Sequence, residues 1–500
     1  MLKSELLARL RAHPIDRAAS DGQVRAAMRQ GDAIEWATFW AFIGALAWCP
    51  YYYGGNDLLA WGINAIVFPG LAAIYEASLL VRRRPHPVGV REFWVSACLF
   101  VAVVLWIVIQ NATWTPAFLH HPIWAMAAEA LGRPVAGSIS ANRDLTTLAL
   151  VRLVTAASVF WLAVQLCRDR SRARSFMTAI AVIISGYAAY GLIAFAMASG
   201  PITWFGDRGV HGFVTSTFVN QNHFATYAGI GLVAICGLIL RLYRRNTTTT
   251  GGSFGFKVAS MIEATGQRGA ALIGAAFLIL VTILLTGSRG GMFATGLGVI
   301  VLGALWFAQR RKALVRGRNV TGVPGALLIP LAFLAIVAVV FSEFGDAFFG
   351  KMAQAGVTDA NRLAEYIITL RSIIDSPLLG YGYGTFWDVF PMFRDQSIGV
   401  GGVYKQAHNT YLEVFQGLGL IFGAMLLTSV ALLVLKCFRG AAALRDGVAA
   451  PTIAASVACL VGVHALVDFS LQIQAVALTF MAVLGAGVAQ SEISQQPLND

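Results

Sequence analysis

Long apolar stretches alternate with short polar segments along almost the whole chain. Each stretch has about the 20 residues that an α-helix needs to cross a bilayer. The pattern predicts an all-α polytopic membrane protein, and an even number of crossings places both termini on the same side. The twelve predicted spans are roughly 35–53, 57–81, 92–112, 147–167, 176–199, 223–242, 269–287, 291–308, 323–342, 409–435, 449–467 and 471–489.

One long polar segment, residues 343–408, interrupts this pattern between the ninth and tenth spans. Irregular backbone beside a bilayer is tolerated only where protein or water satisfies its polar groups. We therefore predict a large loop with short helices that covers one end of the helix bundle. The predicted parts of the chain are a basic arm at 1–34, nine spans within 35–342, the loop at 343–408, three spans within 409–489 and a tail at 490–500.

The composition excludes several classes of protein. Of the 500 residues, 57% are hydrophobic and 12% are charged, whereas a soluble domain carries about 25% charged residues. The N-terminal segment is charged and has no leading apolar run, so we expect no cleavable signal peptide. The six cysteines all lie in or beside apolar stretches and form no CxxC pair, which argues against a disulfide framework or a zinc site. No P-loop is present, so we expect no ATP-driven step.

The net charge of +12 is distributed unevenly. Of the 37 Lys and Arg residues, 27 lie in the N-terminal arm or in segments on the same side of the membrane as that arm. Such basic segments remain on the cytoplasmic side. The long polar loop is therefore predicted to face outward, and binding to nucleic acid is not expected.

Two arginines on the outer side are candidate anion-binding residues. Arg289 lies in a glycine-rich turn, where topology gives no reason for a positive charge. Arg362 begins a predicted amphipathic helix in the loop, which precedes a Gly-Tyr-Gly-Tyr-Gly turn at 380–384. A guanidinium presents a fork of donors that matches a pair of phosphate oxygens. The alternatives are an arginine that extends from a turn to the interface, and an ordinary solvated helix residue.

His408 and Asn409 stand where the chain re-enters the membrane. The positive end of the helix dipole disfavours an imidazolium there, and a general base needs the neutral ring. Asn409 and Glu413 are four residues apart and share a helix face beside His408. Gly417 and Gly419 allow close packing behind them. The alternative is a capping histidine at the membrane interface.

Polar residues at two further outer positions are candidate supporting groups. Asn220 and Asn222 precede His223 at the predicted start of the sixth span, and Asp468 lies in a short hairpin between the last two spans. These side chains suit a sugar or a diphosphate, but asparagine is also a common helix cap. Both interpretations stay open.

Together these residues resemble the O-antigen ligase and O-antigen polymerase superfamily of bacterial envelope glycosyltransferases. The ligase signature is a His, a polar residue such as Asn, nine further residues and a Gly, which His408, Asn409 and Gly419 match. Phe422 occupies a position where the family often has Gly, Thr or Tyr, and Gly423 follows it. The similarity extends over about 200–490, through the turn at 288–290, the segment 377–384, the asparagines at 220 and 222, and the segment 467–469.

The resemblance implies an O-antigen ligase-like glycosyltransferase in the bacterial inner (cytoplasmic) membrane, with its active site facing the periplasm. It would transfer a glycan from undecaprenyl diphosphate to a hydroxyl of a glycolipid, a polysaccharide or a protein, without a nucleotide sugar, metal or other cofactor. His408 would deprotonate the acceptor, while Arg289 and Arg362 would bind the departing diphosphate. Direct displacement would invert the anomeric carbon.

Several alternatives remain. Ligases, polymerases of surface polysaccharide and protein O-oligosaccharyltransferases share these motifs. Glu413, Asp388 and Asp395 are alternative bases. A transporter or flippase is the alternative of a different class, because twelve spans are also common there. Transporters often show internal symmetry and charges at mid-membrane, whereas here the candidate residues crowd the outer face and the two halves are unlike.

Overall fold

The computed structural model describes residues 33–197, 212–246, 254–315, 360–398, 403–443 and 450–495. Across these ranges the regular structure is helical and no β-strand is present. The helices are α1 (Ala33–Trp48), α2 (Leu58–Val81), α3 (Trp94–Asn111), α4 (Ile123–Leu131), α5 (Arg143–Leu166), α6 (Arg170–Ala196), α7 (Gln221–Asn246), α8 (Phe254–Leu285), α9 (Arg289–Val315), α10 (Ala360–Asp375), α11 (Phe386–Phe393), α12 (Thr410–Ala443), α13 (Ala450–His464) and α14 (Gln474–Gln495).

Nine helices in these ranges are long and apolar enough to cross a membrane, and α1 and α13 are shorter apolar helices. Eleven of the twelve predicted spans coincide with helices. The predicted span at 323–342 lies outside the described residues, as do 1–32 of the basic arm and 343–359 of the loop. The chain is thus an all-α polytopic membrane protein, as the apolar pattern predicts.

Local capping explains where several helices begin. Asp57 Oδ1 accepts a 2.9 Å bond from Leu59 N at the start of α2, and Asn142 caps α5 in the same way. Asp169 accepts bonds from two amides of α6, so this helix begins before the predicted position at 176. Such caps satisfy backbone donors that the helix itself leaves without partners. Helix α14 also exceeds its predicted end at 489 and continues to Gln495.

Helices α7 and α14 form the centre of the bundle, because their apolar spans are almost wholly enclosed by other helices. Small residues allow this close approach. A Cβ at Gly231 of α7 would lie 2.4 Å from Ile184 Cγ2, and one at Gly485 of α14 would lie 2.6 Å from the Phe160 carbonyl oxygen. In a membrane such packing replaces the hydrophobic effect as the main attraction between helices.

The described part of the loop forms α10 and α11. Helix α10 confirms the predicted amphipathic helix: Leu363, Ile367, Leu370 and Ile374 are exposed along one face, while Ile368 is buried. Helix α10 packs against α12, the helix that follows the loop. The loop helices therefore lie directly on the re-entering chain.

Helix α12 is broken at Gly419, whose backbone has φ 75° and ψ 170°. The loop backbone bonds to the broken turn: Tyr381 N donates to Gln416 O at 3.0 Å, and Gly382 N donates to Gly417 O at 3.0 Å. A Cβ at Gly419 would lie 2.3 Å from the Leu378 carbonyl oxygen. The glycine of the His-Asn-Gly spacing is therefore required for this break and for the contact with the loop.

Candidate functional site

The hairpin between α13 and α14, residues 464–473, contains a buried carboxylate surrounded by three imidazoles. Asp468 is 1% exposed, and its Oδ2 accepts a 2.7 Å bond from the Ser470 hydroxyl. His408 Nδ1 lies 3.7 Å from Asp468 Oδ1, while His223 Nε2 and His464 Nε2 lie 3.8 and 4.0 Å from Oδ2. These residues come from α7, α13, the hairpin and the segment before α12, so the fold assembles the cluster from distant parts of the chain.

The groups around Asp468 favour its charged form. Burial raises the pKa of a carboxyl group, but the facing His408, His223 and His464 and the Ser470 hydroxyl together keep the pKa of Asp468 well below its usual value. Within the described chain, His408 Nδ1 and Asp468 Oδ1 have no hydrogen-bond partner. The anion is therefore available to orient the His408 ring and to stabilise a positive charge on it.

His408 occupies a strained and well-supported position. Its φ of 45° lies in the left-handed region, which a residue with a Cβ adopts rarely. The Tyr366 hydroxyl donates to the His408 carbonyl oxygen at 3.0 Å, and the ring packs edge-on against Phe469 with centroids 4.9 Å apart. The His408 side chain is 29% exposed, so one part of the ring faces the protein and another remains accessible.

Asn409 caps α12, because its Oδ1 accepts bonds from Tyr411 N and Leu412 N at 3.0 and 3.1 Å. Its Nδ2 donates to the Leu466 carbonyl oxygen at 3.0 Å. The helix begins at Thr410, directly after the His-Asn pair, as the sequence predicts. Asn409 thus connects the start of α12 to the hairpin that contains Asp468.

Both predicted anion-binding arginines lie in segments that contact this hairpin. Arg289 begins α9, and a Cβ on the next residue, Gly290, would lie 2.9 Å from His464 Nε2 and 3.3 Å from Val467 Cγ2. Arg362 in α10 donates a 3.0 Å bond to the Val467 carbonyl oxygen. Both arginines are neither fully buried nor fully exposed. The fold thus brings the chain segments of two arginines to the hairpin that contains Asp468.

The asparagines at the start of α7 reach the cluster indirectly. Asn220 Oδ1 accepts a 2.8 Å bond from Asn222 N, which is the capping geometry that the sequence allows. The Asn222 carbonyl oxygen accepts from the Thr226 hydroxyl at 3.0 Å. Thr226 Oγ1 in turn lies 2.5 Å from His464 Nδ1. Their predicted role in binding a sugar or a diphosphate stays a prediction.

The three alternative bases are bonded to other groups. Asp388 Oδ2 accepts a 2.6 Å bond from Asn142 Nδ2. The Ser397 hydroxyl and amide and the Arg371 guanidinium lower the pKa of Asp395 to about 2, so this carboxylate is a poor proton acceptor. Glu413 Oε2 accepts a 3.1 Å bond from Ala407 N.

Sequence reasoning missed His464, Thr226 and Ser470. His464 ends a short apolar helix and precedes Asp468 by four residues. A histidine at the outer end of a span, four residues before the candidate acid, was a usable signal. The hydroxyl groups of Thr226 and Ser470, which contact each other at 3.0 Å, have no distinctive sequence pattern, because Ser and Thr are common within membrane helices.

Comparison with known families identifies part of the chain. Residues 274–428 match the family model described as O-antigen ligase, and this supports the resemblance to the O-antigen ligase and polymerase superfamily. The matched segment contains Arg289, Arg362, His408 and Gly419, whereas Asp468 lies beyond it. No curated protein matches the chain.

Proposed function

Because residues 274–428 match the O-antigen ligase family, we propose that this membrane protein transfers a glycan from undecaprenyl diphosphate to an acceptor hydroxyl at the periplasmic face. The reaction would serve lipopolysaccharide or surface polysaccharide biosynthesis in the bacterial inner membrane. The proposed orientation of the protein in the membrane rests on the distribution of Lys and Arg, from which we infer that the hairpin end of the bundle faces outward.

One observation chiefly supports the proposal. His408 and the segments that carry Arg289 and Arg362 meet at a single hairpin, although they are separated by large distances along the chain. A base beside two cations is what displacement of a diphosphate requires. The acidic partner of the base, Asp468, is buried in the same hairpin.

In the proposed reaction His408 is the general base. The acceptor oxygen attacks the anomeric carbon as its proton passes to the accessible nitrogen of His408, and the bond from carbon to the phosphate oxygen breaks. Asp468 faces Nδ1 and stabilises the imidazolium, in the way that a carboxylate supports the histidine of a catalytic triad. A positioned base contributes about 10²–10⁴-fold to the rate.

The diphosphate receives the electron pair and leaves with increased negative charge. Arg289 and Arg362 bind that charge in the proposed mechanism, and each charge-assisted contact contributes about 1.5–3 kcal/mol. Arg289 lies at the first turn of α9, where the helix dipole also favours an anion. Attack opposite the leaving group inverts the anomeric configuration, and no metal or nucleotide sugar takes part.

The acceptor class is not distinguished by these residues, because ligase, polymerase and protein O-oligosaccharyltransferase reactions need the same base and the same leaving-group contacts. We favour the ligase-like reaction because the His408, Asn409 and Gly419 spacing matches the ligase signature and the family match carries the ligase description. The glycan profile of a deletion strain separates the three. Core without O-chain indicates a ligase, single-repeat glycans a polymerase, and an underglycosylated protein the third reaction.

The mechanism is tested with purified protein in nanodiscs, a short glycan on undecaprenyl diphosphate and each acceptor class in turn. We expect His408→Ala to lower kcat by about 10²–10⁴-fold, and Arg289→Ala, Arg289→Lys and Arg362→Ala to lower kcat/KM, because an ammonium gives no bidentate contact. Full transfer by His408→Ala would refute the base assignment. Movement of the intact donor across the membrane without cleavage would indicate a flippase instead.

Two matched variants serve as controls. Arg371→Ala removes a second arginine of α10, one that pairs with Asp395 rather than with the hairpin. His86→Ala removes a histidine that pairs with Glu76 at 2.7 Å, outside the Asp468 cluster. Both should retain wild-type transfer, so a loss that also appeared in the controls would reflect general damage to the fold.

A further inference from the structure

A second carboxylate, Glu413, lies beside His408 but is engaged by the protein itself. It belongs to the first turn of α12, is 9% exposed, and its Oε2 accepts a 3.1 Å bond from the backbone amide of Ala407. Ala407 is fully buried and directly precedes His408. The carboxylate therefore reaches back along the chain to the residue before the proposed base.

Further donors surround the Glu413 carboxylate. The Gln406 amide, oriented with its nitrogen toward the carboxylate, donates to Oε1 and Oε2 at 2.8 and 3.2 Å. The Gln472 side chain also hydrogen-bonds to Glu413, and Arg152 of α5 is close enough to add electrostatic attraction. Arg152 is fixed in turn, since it donates to the Gln472 carbonyl oxygen and its guanidinium lies 4.3 Å from the centre of the Trp61 ring.

These contacts distinguish two roles for Glu413: a proton acceptor in the reaction, or a support for the neighbouring backbone. A base must have a lone pair directed at the acceptor, but the oxygens of this buried carboxylate receive bonds from a backbone amide and two glutamine side chains. A buried carboxyl group retained beside a membrane bundle indicates a function with a nearby partner. The contacts indicate that Glu413 holds the backbone at Ala407 in place.

The backbone at His408 needs such support. Left-handed φ is unfavourable for a residue with a Cβ, so the conformation persists only where neighbouring contacts impose it. Three sets of bonds do so: Asn409 is fixed by capping α12, the His408 carbonyl oxygen by the Tyr366 hydroxyl, and the Ala407 amide by Glu413. Without the last bond the peptide between Gln406 and Ala407, one unit before His408, is free to rotate, and we expect the ring to lose its alignment with Asp468.

We propose that Glu413 is a positioning residue for the transfer reaction: its carboxylate holds the Ala407 amide and so keeps His408 in the left-handed conformation that directs the imidazole at Asp468. This rests on the proposed function, in which His408 is the base. Arg152 lies close enough to attract the Glu413 side chain, and neither residue contacts the substrate in this proposal.

The first test is kinetic. Glu413→Ala should lower kcat by about 10–10²-fold, as expected for a small misplacement of a catalytic group, with KM nearly unchanged. Glu413→Gln keeps an oxygen that accepts from Ala407 N and should retain most of kcat. If Glu413→Gln folds poorly because Arg152 loses its anion, the double variant Arg152→Gln with Glu413→Gln keeps the acceptor without an unbalanced charge.

The second test separates positioning from general stability. In a His408→Ala background, Glu413→Ala should have no further effect on the residual rate, because there is no base left to position. An equal fractional loss in both backgrounds would overturn the proposal, as would wild-type kcat in Glu413→Ala. If instead His408→Ala is fully active, the proposed function fails, and this outcome is distinct.

A third measurement needs no substrate. Diethyl pyrocarbonate modifies exposed neutral imidazoles, and mass spectrometry reports the modification rate of His408 by itself. Release from Asp468 should make the His408 ring more accessible, so Glu413→Ala should raise that rate several-fold while Glu413→Gln leaves it near the wild-type value. An unchanged rate in Glu413→Ala would overturn the positioning role whatever reaction the protein catalyses.

Discussion

Replacement of Asp468 by asparagine tests the proposed mechanism most directly, because it removes one charge and changes almost no volume. The asparagine oxygen can still accept the bond from Ser470 that Asp468 Oδ2 accepts at 2.7 Å. What is lost is the anion facing His408 Nδ1 at 3.7 Å. In the proposed reaction the imidazolium formed during transfer depends strongly on that anion.

The magnitude follows from Coulomb's law. Two unit charges 3.7 Å apart attract each other by about 4.5 kcal/mol at an effective dielectric constant of ~20, and by about 1 kcal/mol in bulk water. Each 1.36 kcal/mol is tenfold in rate. The expected loss in kcat therefore lies between about 10-fold and 10³-fold, and nearer the larger value because Asp468 is 1% exposed.

The assay is single-turnover transfer from a fluorescent lipid-linked glycan, with excess enzyme and saturating acceptor, so that product release does not limit the rate. Asp388→Asn is the matched control: Asp388 is a carboxylate of α11 that bonds to Asn142 rather than to a histidine. Asp468→Asn should reduce the chemical step with donor affinity unchanged. A reduction smaller than twofold, or an equal reduction in Asp388→Asn, would refute the argument that Asp468 stabilises the protonated base.

Four further substitutions, one of them a control, have expected outcomes. Tyr366→Phe removes the 3.0 Å bond to the His408 carbonyl oxygen. It should lower kcat about 2–10-fold, since a hydrogen bond contributes about 0.5–1.5 kcal/mol. An unchanged kcat would show that Tyr366 does not support His408. Gly419→Ala introduces a Cβ 2.3 Å from the Leu378 carbonyl oxygen at a φ of 75° and should destabilise the protein by about 2–4 kcal/mol, measured as the thermal midpoint in detergent. Gly303→Ala in α9, where a Cβ meets nothing within 4 Å, should be nearly neutral. Asp395→Asn should lower the thermal midpoint at pH 7 but not near pH 2. The pKa of Asp395 in the folded protein is about 2, which is below its pKa in the unfolded chain. The stabilisation is therefore present at a pH above the unfolded-state pKa and disappears as the pH falls through the folded-state pKa.

The membrane spans could be predicted from the sequence because burial in lipid requires long apolar helices, and this constraint acts on every residue of a span. Their ends were less predictable. The start of α6 depends on Asp169, a single capping side chain, and the pattern of apolar residues does not indicate such a cap. The same holds for α14, which extends beyond the last strongly apolar residues to Gln495.

For the candidate site, the type of residue could be used to choose candidates from the sequence, whereas their proximity in the fold could not be predicted. Arg289, Arg362 and His408 were identifiable because charged or polar groups at the outer end of an apolar bundle are costly there and rarely incidental. Their meeting at the 464–473 hairpin depends on the way α7, α9, α12 and α13 pack, which no local pattern encodes. Glu413 illustrates the difference: its spacing from Asn409 suggested a shared face beside His408, while its hydrogen bond goes to the backbone of Ala407.

The Asp468 cluster is better explained by function than by stability. Enclosing a carboxylate away from water costs several kcal/mol, and well-packed apolar side chains would stabilise such a position equally well or better. Yet the fold surrounds Asp468 with three imidazoles within 4.0 Å and a serine hydroxyl. It also supports His408 in an unfavourable backbone conformation. Both features oppose folding, and both direct a fixed negative charge at one ring nitrogen. Transfer of a proton to that ring is the step that such an arrangement favours. Because Asp468 lies beyond residues 274–428, the proposed reaction requires the last two described helices as well as the family-matched segment.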